Sequence, residues 1–142
     1  MAQFTGVDFY EVDSLLNDDE ITIRDTVRGW VEEKFLPVIE DAYDNAYFPK
    51  GIIPQVAELG LLGATLPEKY GCAGVSSVAY GLAMQELERG DSGLRSFASV
   101  QGSLVMYPIF AYGTEEQRMK YLPKLAKAEL IGCFGQIGRA HV

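Results

Sequence analysis

At 142 residues, with 48% hydrophobic and 23% charged side chains, the chain suits one globular domain with a buried core and is too short for several. Its net charge of −8 is lopsided: residues 1–48 carry 12 acidic and 3 basic side chains and residues 49–142 carry 8 and 9, which argues against a nucleic-acid surface built from phosphate contacts. Two cysteines, Cys72 and Cys133, and a single histidine, His141, leave no disulfide framework, metal-ligand spacing or histidine-dependent triad in the folded part, and no stretch reaches the ~20 apolar residues of a membrane span.

Residues 1–16 read as an irregular arm with a short turn at 12–16. Asn17 followed by Asp18, Asp19 and Glu20 is a capped helix start, with acids in the first turn to suit the helix dipole. Ile23, Val27, Trp30, Val31 and Phe35 continue it as an apolar stripe up to Pro37, which should break or kink the helix. A further helical segment is expected over 38–47, with Ile39, Ala42, Tyr43 and Ala46 on one side. Pro49-Lys50-Gly51 stops it, and 52–59 reads as a short helix closed by Gly60. Residues 61–66 are expected as an extended apolar link, and 67–74 as a loop whose Gly71-x-x-Gly74 marks a turn rather than a phosphate cradle.

A helical hairpin follows: Ser76, then 78–89, a turn at Gly90-Asp91-Ser92-Gly93, and a return helix over 94–106. After Arg95 the return helix is uncharged, so it should be buried on more than one side or lie against a ligand pocket. A short helical stretch leads to Gly113, and Thr114-Glu115-Glu116-Gln117 is a capping box opening a helix with Met119, Leu122 and Leu125. Pro123 is expected to interrupt it. Leu130–Phe134 reads as a strand, the first in an otherwise all-α chain, with nothing to pair with.

The chemistry these residues offer is concentrated at Glu88 and Arg95, on either side of the hairpin turn. Two readings stand: an exposed helix-end ion pair, or an Arg95 that reaches into a pocket to bind a carboxylate while Glu88 fixes its fork. Ser96, Ser99 and Ser103 fall on the same helix and suit close helix packing equally well.

The segments Tyr70–Leu82, Glu86–Ser96, Ser99–Met106, Gly113–Ala126 and Leu130–Gly135 together resemble the acyl-CoA dehydrogenase family, and within it the glutaryl-CoA dehydrogenases. The resemblance implies an all-α N-terminal helical-bundle domain over 17–128 after an arm at 1–16, with the first strand of a missing middle β-domain at 129–135. It implies an FAD-dependent oxidoreductase, with the catalytic glutamate in a missing C-terminal domain. The implied reaction oxidises glutaryl-CoA, with decarboxylation to crotonyl-CoA in some members, and passes electrons to an electron-transfer flavoprotein. A homotetramer is implied for the complete enzyme. Arg95 matches the arginine for the distal carboxylate of the substrate, Glu88 its hydrogen-bonded neighbour, and Ser96 and Ser99 residues near that carboxylate. The alternatives are a dehydrogenase for another short or branched acyl-CoA and a stand-alone helical interaction domain. Without signal segments, the expected setting is a bacterial cytoplasm, or the mitochondrial matrix if a transit peptide is missing. The family pattern continues after Gly135 with Leu-Thr-Glu-Pro, whereas this chain reads Gln136-Ile-Gly-Arg-Ala-His-Val142. Because Ile137–Val142 is also encoded by one frame of a sequencing-library adapter, 136–142 is expected to be a non-native tail.

Overall fold

The computed structural model describes residues 9–135; the tail at 136–142 and the first half of the N-terminal arm lie outside them. The described residues form seven α-helices: α1 (Asp18–Trp30), α2 (Leu36–Asp44), α3 (Ile53–Glu58), α4 (Ser77–Gly90), α5 (Ser92–Ser99), α6 (Tyr107–Tyr112) and α7 (Glu115–Ala126). The starts follow the local chemistry. Asn17 Oδ1 accepts from Glu20 N at 2.9 Å while the Glu20 carboxylate accepts from Asn17 N, and Thr114 and Gln117 make the same reciprocal pair on α7. Ser76 caps α4 through Ala79 N. Gly60, at φ +71°, ends the α3 region as expected.

The core lies between α1, α4 and α5, with α7 closing it from below. Val27, Val31 and Phe35 from the first helical run meet Leu87 and Leu94 from the hairpin, and Leu122 joins from α7; all are essentially without solvent contact. Gly90 permits the close approach: a Cβ there would stand 2.9 Å from Val31 Cγ1 and 3.1 Å from Phe35 Cδ1. One carboxylate also ties two helix starts together, because Glu20 Oε1 accepts from Ser76 Oγ at 3.0 Å.

Several expectations are corrected. Pro37 neither breaks nor stops its helix. The winding widens over Val31–Phe35 into a π-type segment, with Leu36 N bonded to Val31 O, and α2 resumes directly. Wider winding absorbs the donor that proline lacks. The hairpin turn is narrower than four residues. Asp91 alone separates α4 from α5, and its Oδ1 accepts from Gly93 N at 2.7 Å and Leu94 N at 3.1 Å. The return helix does not end at Met106: α5, a second π-type segment at Val100–Met106 and α6 form one continuous run. Its buried face carries Leu94, Ala98, Gln101 and Met106, while Ser103, Leu104 and Tyr107 remain exposed, so it is not buried on all sides.

Residues 61–66 are buried turns rather than an extended link, with Leu66 N bonded to Gly63 O at 2.8 Å. Gly63, at φ +71°, lies so near Gly102 that a Cβ on the latter would sit 3.1 Å from its nitrogen. Pro123 does not interrupt α7. Burial of Leu122, Leu125 and Ala126 around it outweighs the roughly 3 kcal/mol that an internal proline costs. Among the described residues there is no strand: 131–135 has no regular secondary structure, and no second strand stands beside it to form a ladder.

Candidate functional site

The hairpin turn brings Glu88, on the last turn of α4, opposite Arg95, one turn into α5. Arg95 Nε donates to Glu88 Oε2 at 2.7 Å, and Arg95 Nη1 reaches Ser99 Oγ at 3.4 Å. Ser99 in turn donates to the Ser96 carbonyl at 3.2 Å. Glu88 Oε1 accepts from Ser92 Oγ at 2.6 Å. The Ser92 hydroxyl and the Arg95 guanidinium together hold the Glu88 carboxyl below its ordinary value of 4.5. Two of the three Arg95 nitrogens are therefore engaged by the fold, and Nη2 has no protein acceptor among the described residues. The guanidinium side chain is 39% exposed, open to a ligand and still open to water.

Three of the four sequence-predicted residues thus form one connected group through their side chains: Arg95, Glu88 and Ser99. Ser96 joins only through its main-chain carbonyl. It also lines an apolar groove of about 420 Å³, together with Phe97, Val100, Ile53, Phe48 and Ile131. Arg95 does not line this groove.

Three participants escaped the sequence reading. Ser92 completes the support of Glu88; its spacing of four residues from Glu88 was the available signal. Gln101, almost wholly buried, bonds to the main chain of 125–132. Glu86, in the last part of α4, is buried. Burial pushes its carboxyl upward, but Arg28 on α1 (2.7 Å) and Arg89 (2.8 Å) outweigh that and leave it below its ordinary range. Arg89 also pairs with Glu32 at 3.2 Å, so the network joins α4 to α1 and to the widened turn after it.

A flavin nucleotide needs a cradle of free amides for its phosphates. The loop before α4 does not supply one: Gly71 N, Gly74 N and Val75 N bond the carbonyls of Glu68, Leu66 and Ala64, and Ala79 N is capped by Ser76. The described residues therefore keep these four amides from a flavin phosphate. They also hold no cluster suited to a metal ion, and no helix among them is long and apolar enough to cross a membrane.

Residues 17–129 match the family description "Acyl-CoA dehydrogenase, N-terminal domain". The fold is similar to glutaryl-CoA dehydrogenase from Mycobacterium smegmatis, at 48% identity and a TM-score of 0.86, over 92% of this chain and 34% of that one. A second structure of that protein, described as a complex with FADH2, matches at 47% identity and a TM-score of 0.83, over 86% of this chain and 31% of that one. In sequence the chain is 34% identical over 119 residues to an acyl-CoA dehydrogenase of Bacillus subtilis, covering 84% of this chain and 31% of the relative. It is 32% identical over 112 residues to the mitochondrial short-chain specific acyl-CoA dehydrogenase of Bos taurus, covering 79% and 27%. The chain spans about a third of the length of these relatives. With the helical architecture and the matched span of 17–129 in hand, the chain belongs to the acyl-CoA dehydrogenase family, a family of flavoprotein oxidoreductases, as its N-terminal helical domain.

Proposed function

We propose that this chain is the N-terminal part of an FAD-dependent dehydrogenase that oxidises glutaryl-CoA, a thioester with a second, distal carboxylate, and in a decarboxylating form yields crotonyl-CoA. The observation that carries the reading is Arg95, held at Nε by Glu88 and at Nη1 by Ser99, with Nη2 left without a protein acceptor among the described residues. A guanidinium anchored this way can share its remaining donors with a substrate carboxylate without losing its orientation. Glu88 balances its charge, so an unliganded site does not carry an isolated cation. Ser96 and Ser99 stand near the same carboxylate. The proton-abstracting glutamate and the FAD contacts belong to the complete enzyme, which we take to be a homotetramer passing electrons to an electron-transfer flavoprotein. As the isolated arginine is half open to water, its full worth needs the rest of the enzyme to cover it.

The similarity to short-chain specific relatives favours one second reading, a dehydrogenase for an uncharged short acyl-CoA. Steady-state kinetics of the full-length protein separate the two. We expect glutaryl-CoA to be preferred to butyryl-CoA. Replacing Arg95→Met should lower kcat/KM for glutaryl-CoA by about 10- to 100-fold, the worth of a charge-assisted hydrogen bond, with little change for butyryl-CoA. A wild type that prefers butyryl-CoA, or an Arg95→Met effect equal for both thioesters, refutes the carboxylate role. A full-length protein that turns over neither points to another acyl-CoA, such as a branched one.

A further inference from the structure

Gln101 lies in the widened turn Val100–Met106 with 1% of its surface exposed, and both the nitrogen and the oxygen of its carboxamide bond to main chain. Nε2 donates to Leu125 O at 3.1 Å, a carbonyl near the end of α7 that also accepts from Ala128 N at 3.2 Å, and to Leu130 O at 2.9 Å. Oε1 accepts from Gly132 N at 2.9 Å. The last two bonds have a recognisable pattern. In a parallel ladder, one residue donates to the carbonyl of i−1 and accepts from the amide of i+1 on the facing strand. Here the Gln101 side chain does both, centred on Ile131. It gives this segment the neighbour that no strand provides. One helical turn further on, Val105 packs so closely on Gly132 that a Cβ there would collide with it. Gln101 and Val105 therefore grip Gly132 from one face of the helix.

The gripped segment has a use. Ile131 and Gly132 line the same groove as Ser96, Phe97 and Val100. We infer that Gln101 is a positioning residue whose carboxamide, standing in for a neighbouring strand, holds Ile131–Gly132 as a wall of the groove beside Ser96. That this groove takes the acyl end of the substrate rests on the dehydrogenase reading above; the clamp itself does not.

Two measurements test the inference. On the wild-type 142-residue chain, NMR should detect a scalar coupling across the hydrogen bond from the Gly132 amide nitrogen to the Gln101 side-chain carbonyl. Gln101→Leu, similar in volume, should speed amide exchange at Gly132 by about 100-fold while leaving α1 and α4 amides unchanged. Absence of the coupling, or unchanged exchange at Gly132, overturns the clamp, and the coupling still decides if the variant fails to fold. In the full-length enzyme, Gln101→Leu should raise KM for the acyl-CoA about tenfold with kcat within a factor of about three, the signature of a binding wall rather than a reacting group. Faster exchange at Gly132 with KM unmoved overturns the role in the groove and leaves the dehydrogenase reading standing. If no acyl-CoA is turned over at all, that reading fails while the coupling and exchange still judge the clamp.

Discussion

Glu86 is buried, whereas its two partners reach water: Glu86 keeps 4% of its side chain exposed, Arg28 39% and Arg89 41%. This asymmetry decides which substitution costs more. Glu86→Gln removes the buried charge and leaves two guanidinium groups that solvent can rescue, so the loss should be about 1–2 kcal/mol, that of the charge-assisted bonds net of desolvation. Removing both cations by Arg28→Ala with Arg89→Ala strands a carboxylate in the core, which should cost about 3–5 kcal/mol. Urea unfolding followed by circular dichroism at pH 7 gives the order directly. The pH dependence separates the variants again. In the wild type the folded Glu86 pKa lies below the ordinary 4.5, so its stabilisation is present above that value and is lost as pH falls through the folded pKa. In the double arginine variant the stranded carboxyl titrates above 4.5, so the deficit is greatest at neutral pH and recedes on acidification. The gap between the two proteins should therefore narrow between pH 7 and pH 4.5. A double arginine variant no less stable than Glu86→Gln, or a gap constant over that interval, refutes the reasoning.

Other tests are simpler. Gly90→Ala places a Cβ against Val31 and Phe35, both locked in the core, and should destabilise by about 1–3 kcal/mol despite alanine's better helix propensity, read as a lowered Tm. Cys72 is buried and its thiol is pushed up to about 11, so at pH 8 about a thousandth of it is thiolate. Iodoacetamide should label exposed Cys133 first and Cys72 only on unfolding, as counted by mass spectrometry. Incubated with FAD and gel-filtered, the 142-residue chain should retain no stoichiometric flavin by absorbance, because the Gly71, Gly74 and Val75 amides before α4 are already bonded; a yellow monomer with one flavin would overturn that account.

What the sequence made legible was written in short-range chemistry. Asn17 with Glu20, Thr114 with Gln117, Ser76 and Gly60 each satisfy a backbone group within a few residues, so their spacing alone suffices. The pair Glu88 and Arg95 was visible for the same reason, since a single turn separates them. The failures have a different cause. Glu86 resembles any helix-end acid until Arg28, 58 residues earlier, is seen to meet it. Gln101 reads as one more neutral residue on an uncharged helix, because its partners at 125–132 are fixed only by the packing of α7. Pro123 was judged by its local cost, but burial on both sides of it sets the outcome. The supposed strand at 130–134 has the right residues but no neighbour, so propensity alone could not make it a strand.

The continuous helix from Ser92 to Tyr112 does not keep strict α register. Leu94, Ala98 and Gln101 follow the expected spacing, and the next fully buried position is Met106 rather than 105. The widened turn holds one surplus residue, which returns α6 to the core side. Elsewhere, for instance in the middle of α4, deleting a single residue would rotate everything downstream by about 100° and carry apolar side chains into water. Within Val100–Met106 the same deletion would convert the widened turn to ordinary winding and leave α6 facing as before. Length variation in this long helix thus has one natural outlet, and what a shortened helix would forfeit is the reach of Gln101 toward the chain at 130–132.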